Sequence, residues 1–260
     1  MISVTDKEWT QRKINKNLVE KVNQDYGFGG ILSHLIISRN YDASEIHGIN
    51  NSQKLTNIFK DDYDYQEASS ILLEVIKKNE NICILGDYDV DGSCAAALLV
   101  RYFNYIKQEH FFYIPDRIKD GYGASKKLFQ KLILKKPKLV LMVDCGSTSN
   151  EAVDYLNHHN IKSIIIDHHE INKPYPKSDA IINPKKKDNN KEPSFLCATA
   201  LTYFFIDILI KKTLSDFNLS KFLIYALLAT VCDVMPLRKI NKIIARNAIN
   251  DFKLKNNAAI

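Results

Sequence analysis

Three aspartates at alternating positions, Asp87, Asp89 and Asp91 in the run GDYDVDG, are the residues of this chain best suited to do chemistry. Carboxylates crowded so closely repel one another, and each prefers to keep its proton. Divalent cations relieve that repulsion, because hard cations take oxygen ligands. On its own, such a run could equally be an exposed acidic turn. A calcium-binding EF-hand loop fits poorly, since the twelfth position counted from Asp87 is Leu98 where a glutamate is needed.

Further candidates follow along the chain: Asp144 in VDCGSTS, the triplet Asp167-His168-His169, and Asp233 in VCDVMPL. Each alone has a plainer role. Asp144 could cap the helix opening at Asn150, the histidine pair could be structural, and Asp233 could close a helix. Together they form a carboxylate-rich set with one or two imidazoles, which suits manganese or magnesium better than zinc. Two hard cations about 4 Å apart can clamp the attacking and leaving oxygens of a phosphoryl transfer. A solitary aspartate on a central strand, such as Asp144, suits a bridging place between them.

The elements that must position these residues read as alternating strands and helices. Ile82 to Leu85, Phe111 to Pro115, Leu139 to Val143 and Ser163 to Ile166 read as strands. Ser93 to Lys107, Ser125 to Lys135 and Asn150 to His159 read as the helices between them. That alternation predicts an α/β fold, a parallel β-sheet flanked by helices. In open parallel sheets ligands bind at the carboxyl ends of the strands, and here three of the four strands end in acidic or acid-histidine clusters. Residues 1–78 read as a helical N-terminal segment packed on the core, including helices over Ile31 to Arg39 and Gln66 to Lys78. Residues 173–193 read as a loop, with the lysine run KKKDNNK a solvated stretch within it, and three helices follow from Phe195.

At 260 residues, with 45% hydrophobic and 25% charged residues, the composition is that of an ordinary globular protein. No signal peptide is recognisable at the N-terminus, and the longest apolar stretches are too short or interrupted to span a bilayer. The five cysteines form no CxxC pair, which argues against a zinc ribbon or disulfide framework and for reduced thiols in a cytoplasmic protein. A net charge of +6 and a pI near 8.9 fit a polyanionic partner.

The motifs GDYDVDG, RIKDGYGAS, VDCGSTS, DHHE, INPK and VCDVMPL, in this order, resemble the DHH phosphoesterase superfamily. Within it they are most similar to the RecJ branch of single-strand-specific 5′→3′ DNA exonucleases. The resemblance implies two divalent cations, Mn2+ or Mg2+. Asp87 and Asp89 would hold one, Asp91, His168 and Asp233 the other, and Asp144 would bridge them. Asp167 would orient its histidine neighbours, and His169 would face the scissile phosphate. Arg117 and the Gly121-Tyr122-Gly123 loop would contact the nucleic-acid backbone, with Asn183 at the rim. Other DHH branches carry a histidine upstream of the paired acids, where this chain has Leu85. The expected substrate is single-stranded DNA in repair and recombination, with a single-strand-binding protein and a helicase as partners and no membrane. The alternatives are a phosphodiesterase of short oligoribonucleotides or cyclic dinucleotides, and a non-catalytic replication scaffold. Residues 79–240 would form the catalytic domain, and 241–260 would begin a connecting helix towards a DHH-associated domain.

Overall fold

The computed structural model describes residues 4–8, 10, 12–51, 53–121, 123–186 and 194–252. The chain divides into two compact units at Lys54/Leu55. The first holds three short helices, α1 (Lys16–Tyr26), α2 (Gly30–Ser38) and α3 (Ala43–Asn50), around a small core of Val22, Phe28, Ile36 and Ile46. Asp42 and Glu45 close a reciprocal capping box at the start of α3.

The second unit is built on a five-stranded sheet, β1 (Ile82–Gly86), β2 (His110–Tyr113), β3 (Leu139–Val143), β4 (Lys162–Ile166) and β5 (Ala180–Ile182). Its order is β2-β1-β3-β4-β5, and every neighbouring pair is parallel. β1 and β3 are buried along their whole length, which explains their unbroken apolar sequences. Alternate residues feed two cores. Ile82, Ile84, Leu139 and Leu141 face one that includes helices α4 (Tyr63–Lys77), α5 (Val90–Ile106), α8 (Ala198–Thr213), α9 (Leu223–Cys232) and α10 (Lys239–Asp251). Cys83, Leu85, Val140 and Met142 face the other, with α6 (Lys126–Leu132) and α7 (Asn150–His158).

After β1 the chain crosses outward to β2, and after β2 it returns past β1 to β3. The loops leaving β1 and β3 therefore diverge, and such a switch point opens a crevice at the carboxyl ends of the strands. Hydrogen bonds from Asp144 N to Ile166 O and from Asp167 N to Ile182 O continue the ladder one residue beyond β3 and β4. Both acids are thereby fixed at that edge.

Two features depart from expectation. β5 lies inside the stretch expected to be loop; its three residues are too few to show a period. Helix α5 starts at Val90 rather than Ser93, because Asp89 serves as its N-cap and accepts from Gly92 N at 3.0 Å. The lysine run falls largely outside the described residues.

Candidate metal centre

The acidic loop is folded tightly enough that its glycines are required. A Cβ on Gly92 would lie 2.4–2.6 Å from the Asp87 backbone, and one on Gly86 would lie 2.8 Å from Gly92 O. This packing stands Asp87 and Asp89 side by side at the head of α5, with Asp91 inside its first turn.

Asp91 is 1% exposed, and its carboxylate is gripped by the opening of α8. Ala198 N donates to Oδ2 at 2.6 Å and Thr199 N to Oδ1 at 2.7 Å, while the Thr199 hydroxyl donates to the Asp91 carbonyl at 2.8 Å. A helix N-terminus stabilises an anion in this way without neutralising it. Asp144, also 1% exposed, has φ of +61°, a left-handed conformation that costs a non-glycine residue free energy. Asp233 closes α9, and the left-handed Val234 behind it turns the chain away.

These carboxylates converge on His168. Its Nε2 lies 3.3 Å from Asp144 Oδ1, 3.4 Å from Asp233 Oδ2 and 3.6 Å from Asp91 Oδ2, yet both ring nitrogens are buried without a hydrogen-bond partner. Asp144 Oδ1 and Asp87 Oδ1 are likewise buried and unpartnered. Buried polar atoms are nearly always satisfied, so a cluster of orphans beside converging carboxylates fits a group with positive charge. Three sets of donor atoms, each within 4.8 Å of one another, could hold a cation: Asp87, Asp89 and Asp144; Asp91, His168 and Asp233; and Asp144, His168 and His169. The donors are carboxylate oxygens and imidazole nitrogens, and no cysteine is among them. That chemistry fits Mn2+ or Mg2+.

The electrostatics agree. Burial, and then the charges of Asp91 and Asp89, hold the Asp144 carboxyl far above the ordinary carboxylate range. Asp87 is raised, chiefly by burial, as is Asp233. Such a site resists ionising fully unless a cation shares it.

Beside this cluster lies a network of opposite character. Burial would raise Asp167, but it accepts from the His169 ring at 2.8 Å, from Ser147 N at 3.0 Å and from the His168 and His169 amides, and these hold it at about 2. The bond to Asp167 in turn raises His169. Asn183 is buried, and its Nδ2 donates to Ser147 Oγ at 2.8 Å and to His169 O at 2.9 Å. Its Oδ1 accepts from Lys185 N at 2.8 Å, so this side chain is committed inward. Arg117 is exposed, with its guanidinium 5.3 Å from the ring centroid of Tyr88, the residue between Asp87 and Asp89 in sequence. Gly121 and Gly123 both take positive φ, while Tyr122 lies outside the described residues.

Some supporting residues escaped sequence reasoning. Ser147 and the Ala198-Thr199 pair carry no motif, and a small residue followed by Thr at the start of an apolar helix was the available signal for the latter. Asp120 of RIKDGYGAS anchors its own loop. It accepts from Tyr113 OH at 2.6 Å, Lys131 Nζ at 3.1 Å and Asp116 N at 3.2 Å, and is held down at about 2. All five cysteines are free. No helix among the described residues is long and apolar enough to cross a membrane.

Comparison with known proteins points the same way. A family model described as "DHH family, N-terminal domain" matches residues 81–230. The chain is 24% identical over 251 residues to the "Single-stranded-DNA-specific exonuclease RecJ" of Bacillus subtilis, covering 95% of this chain and 31% of that protein. To the protein of the same name in Escherichia coli it is 28% identical over 215 residues, covering 76% and 37%. The chain thus spans between three and four tenths of the length of these relatives. Among solved structures, RecJ in complex with Mn2+ from Thermus thermophilus superposes with a TM-score of 0.72 at 20% identity, covering 91% of this chain and 33% of that one. An exonuclease RecJ bound to manganese gives 0.66 at 24% identity, covering 77% and 49%. The fold is therefore shared with these structures.

Proposed function

The chain belongs to the DHH family, and from that premise we propose that it hydrolyses phosphodiesters with two divalent cations, acting on single-stranded DNA from the 5′ end. The observation that carries this reading is the convergence of Asp91, Asp144 and Asp233 on a buried, unpartnered His168 nitrogen. Asp87, Asp89 and Asp144 would hold one cation, and Asp144, Asp91, His168 and Asp233 the other. Cations bound there supply charge neutralisation at the phosphate and a water of lowered pKa.

The remaining work falls to the chain's own side chains. Asp144 is the carboxylate common to both sets. Asp167 holds His169 Nδ1 and favours the protonated ring, so His169 offers the proton at Nε2 to the departing oxygen. Water adds at phosphorus, the bond to the 3′ oxygen of the terminal nucleotide breaks, and a 5′-mononucleotide leaves. Arg117 is the exposed cation nearest the acidic loop and is suited to a backbone phosphate. Polarity and strand preference rest on the names of the relatives.

The setting is proposed on the same basis. The catalytic domain would comprise residues 79–240, with 241–260 opening a connector. The protein would act in the cytoplasm beside a single-strand-binding protein and a helicase. The excess of lysine and arginine supports a polyanionic substrate in that setting. To test the function, Asp144→Ala is assayed on a 5′-labelled single strand with manganese. Release of mononucleotides should be lost, and hydrolysis at the wild-type rate would overturn the reading.

A further inference from the structure

On the far side of His169 from the carboxylate cluster lies a second feature. A cavity of about 600 Å³ is enclosed by the loop after β3, the start of α7 and the loop before α6. Its wall includes Ala124, Ser147, Thr148, Ser149, Ala152 and His169. Small-molecule sites usually run from about 300 to 1,000 Å³, so this space suits a base with its sugar and is far larger than a phosphate requires.

The charges around it decide what kind of group would enter. Every cationic side chain at its edge already has a carboxylate: Lys126 with Glu151 at 3.5 Å, Lys185 with Glu170 at 3.1 Å, and His169 with Asp167 at 2.8 Å. No surplus positive charge draws an anion inward. The wall alternates hydroxyls with small apolar surfaces, a mixture that suits the edges of a base and the face of a sugar. Its one link to the acidic cluster is His169, whose Nδ1 is also 3.9 Å from Asp144 Oδ1.

We propose that this cavity is a nucleoside subsite that receives the uncharged base and sugar of the terminal nucleotide. The assignment rests on the reading of His169 as proton donor to the departing oxygen, since the nucleoside bearing that oxygen then extends to the His169 side. One enclosed nucleoside per cut is what release of mononucleotides requires.

The test fills the cavity from its exposed edge with Thr148→Trp and measures thymidine binding to the manganese-loaded chain by calorimetry. The wild type binds thymidine, and Thr148→Trp binds it about tenfold or more weakly. Manganese binding stays unchanged. With single-stranded oligonucleotides the variant loses kcat/KM mainly through KM. Equal thymidine binding by both proteins, or none by the wild type, overturns the subsite. Binding of inorganic phosphate in its place, lost in Thr148→Trp, overturns its uncharged character. Thymidine binding without any hydrolysis by the wild type would sink the exonuclease reading and leave the nucleoside site standing. Should Thr148→Trp fail to fold, Ser149→Tyr fills the same space.

Discussion

His168 and His169 are consecutive in the chain and their ring centroids are 4.7 Å apart, yet their surroundings are opposites. The His168 side chain is 8% exposed, faces three carboxylates and makes no hydrogen bond with either nitrogen. The His169 side chain is 44% exposed, and its Nδ1 is fixed by an acid that is itself fully engaged. One ring is buried with nothing to bond; the other is half open and firmly held. A ligand for a cation needs a lone pair and little freedom, whereas a proton donor needs a defined tautomer and access to substrate. The difference separates the two halves of the site: one is completed by what binds it, the other is complete already.

The largest effect should come from breaking the first half. Asp87, Asp144 and Asp233 all hold their protons above the ordinary aspartate value of 3.8, Asp144 up to about 11. Without metal, the native state then binds more protons than the unfolded chain, and its stability falls as pH rises above about 4. Manganese should therefore raise the melting temperature more at pH 8 than at pH 6. The gain is about 2.7 kcal/mol at a hundredfold excess over Kd. In EDTA, Asp144→Asn should melt higher than wild type, because a buried charge is gone. With manganese the order should reverse. A metal-free melting temperature that ignores pH, or an Asn variant that is the less stable in EDTA, would refute the view that this cluster awaits a cation.

Breaking the second half should act on protons instead. Asp167 remains charged at any working pH, since its own stabilising contribution is lost only as pH falls from the ordinary range through about 2. It raises His169, so Asp167→Asn lowers that ring and moves the basic limb of the pH–rate profile to lower pH. Hydrolysis should fall about 10- to 100-fold, the usual cost of losing a residue that orients a ligand or donor. An unmoved basic limb would remove His169 from the proton transfer.

Much of this contrast was legible in the sequence, and the reasons are physical. Gly86, Gly92 and the alternating acids have types that few other environments tolerate, and β1 and β3 are buried on both faces and so read as unbroken apolar runs. The grip of α8 on Asp91 was not legible, because it uses main-chain N–H groups 107 and 108 positions away that any residue but proline could supply. β5 escaped because its pairing with β4 defines it and its own three residues do not. The inward role of Asn183 was hidden for a similar reason. INPK marks the residue as distinctive without saying which way its amide turns.

That residue gives the smallest and most discriminating test. If Asn183 lies at the rim and touches substrate, Asn183→Ala should raise KM and leave stability alone. The geometry points elsewhere, since its amide ties Ser147 Oγ to the carbonyl of His169. Removing it leaves buried partners unsatisfied, at a cost of about 1–3 kcal/mol in stability. Turnover should then fall less than in Asp167→Asn, with KM and manganese binding near wild type, because the carboxylate half is untouched. Asn183→Asp should not rescue the loss: a carboxylate can still accept from Lys185 N, but it cannot donate to Ser147 or to His169 O. Rescue by Asp, or a KM effect at unchanged stability, would move Asn183 out of the frame that holds His169 and back towards the substrate.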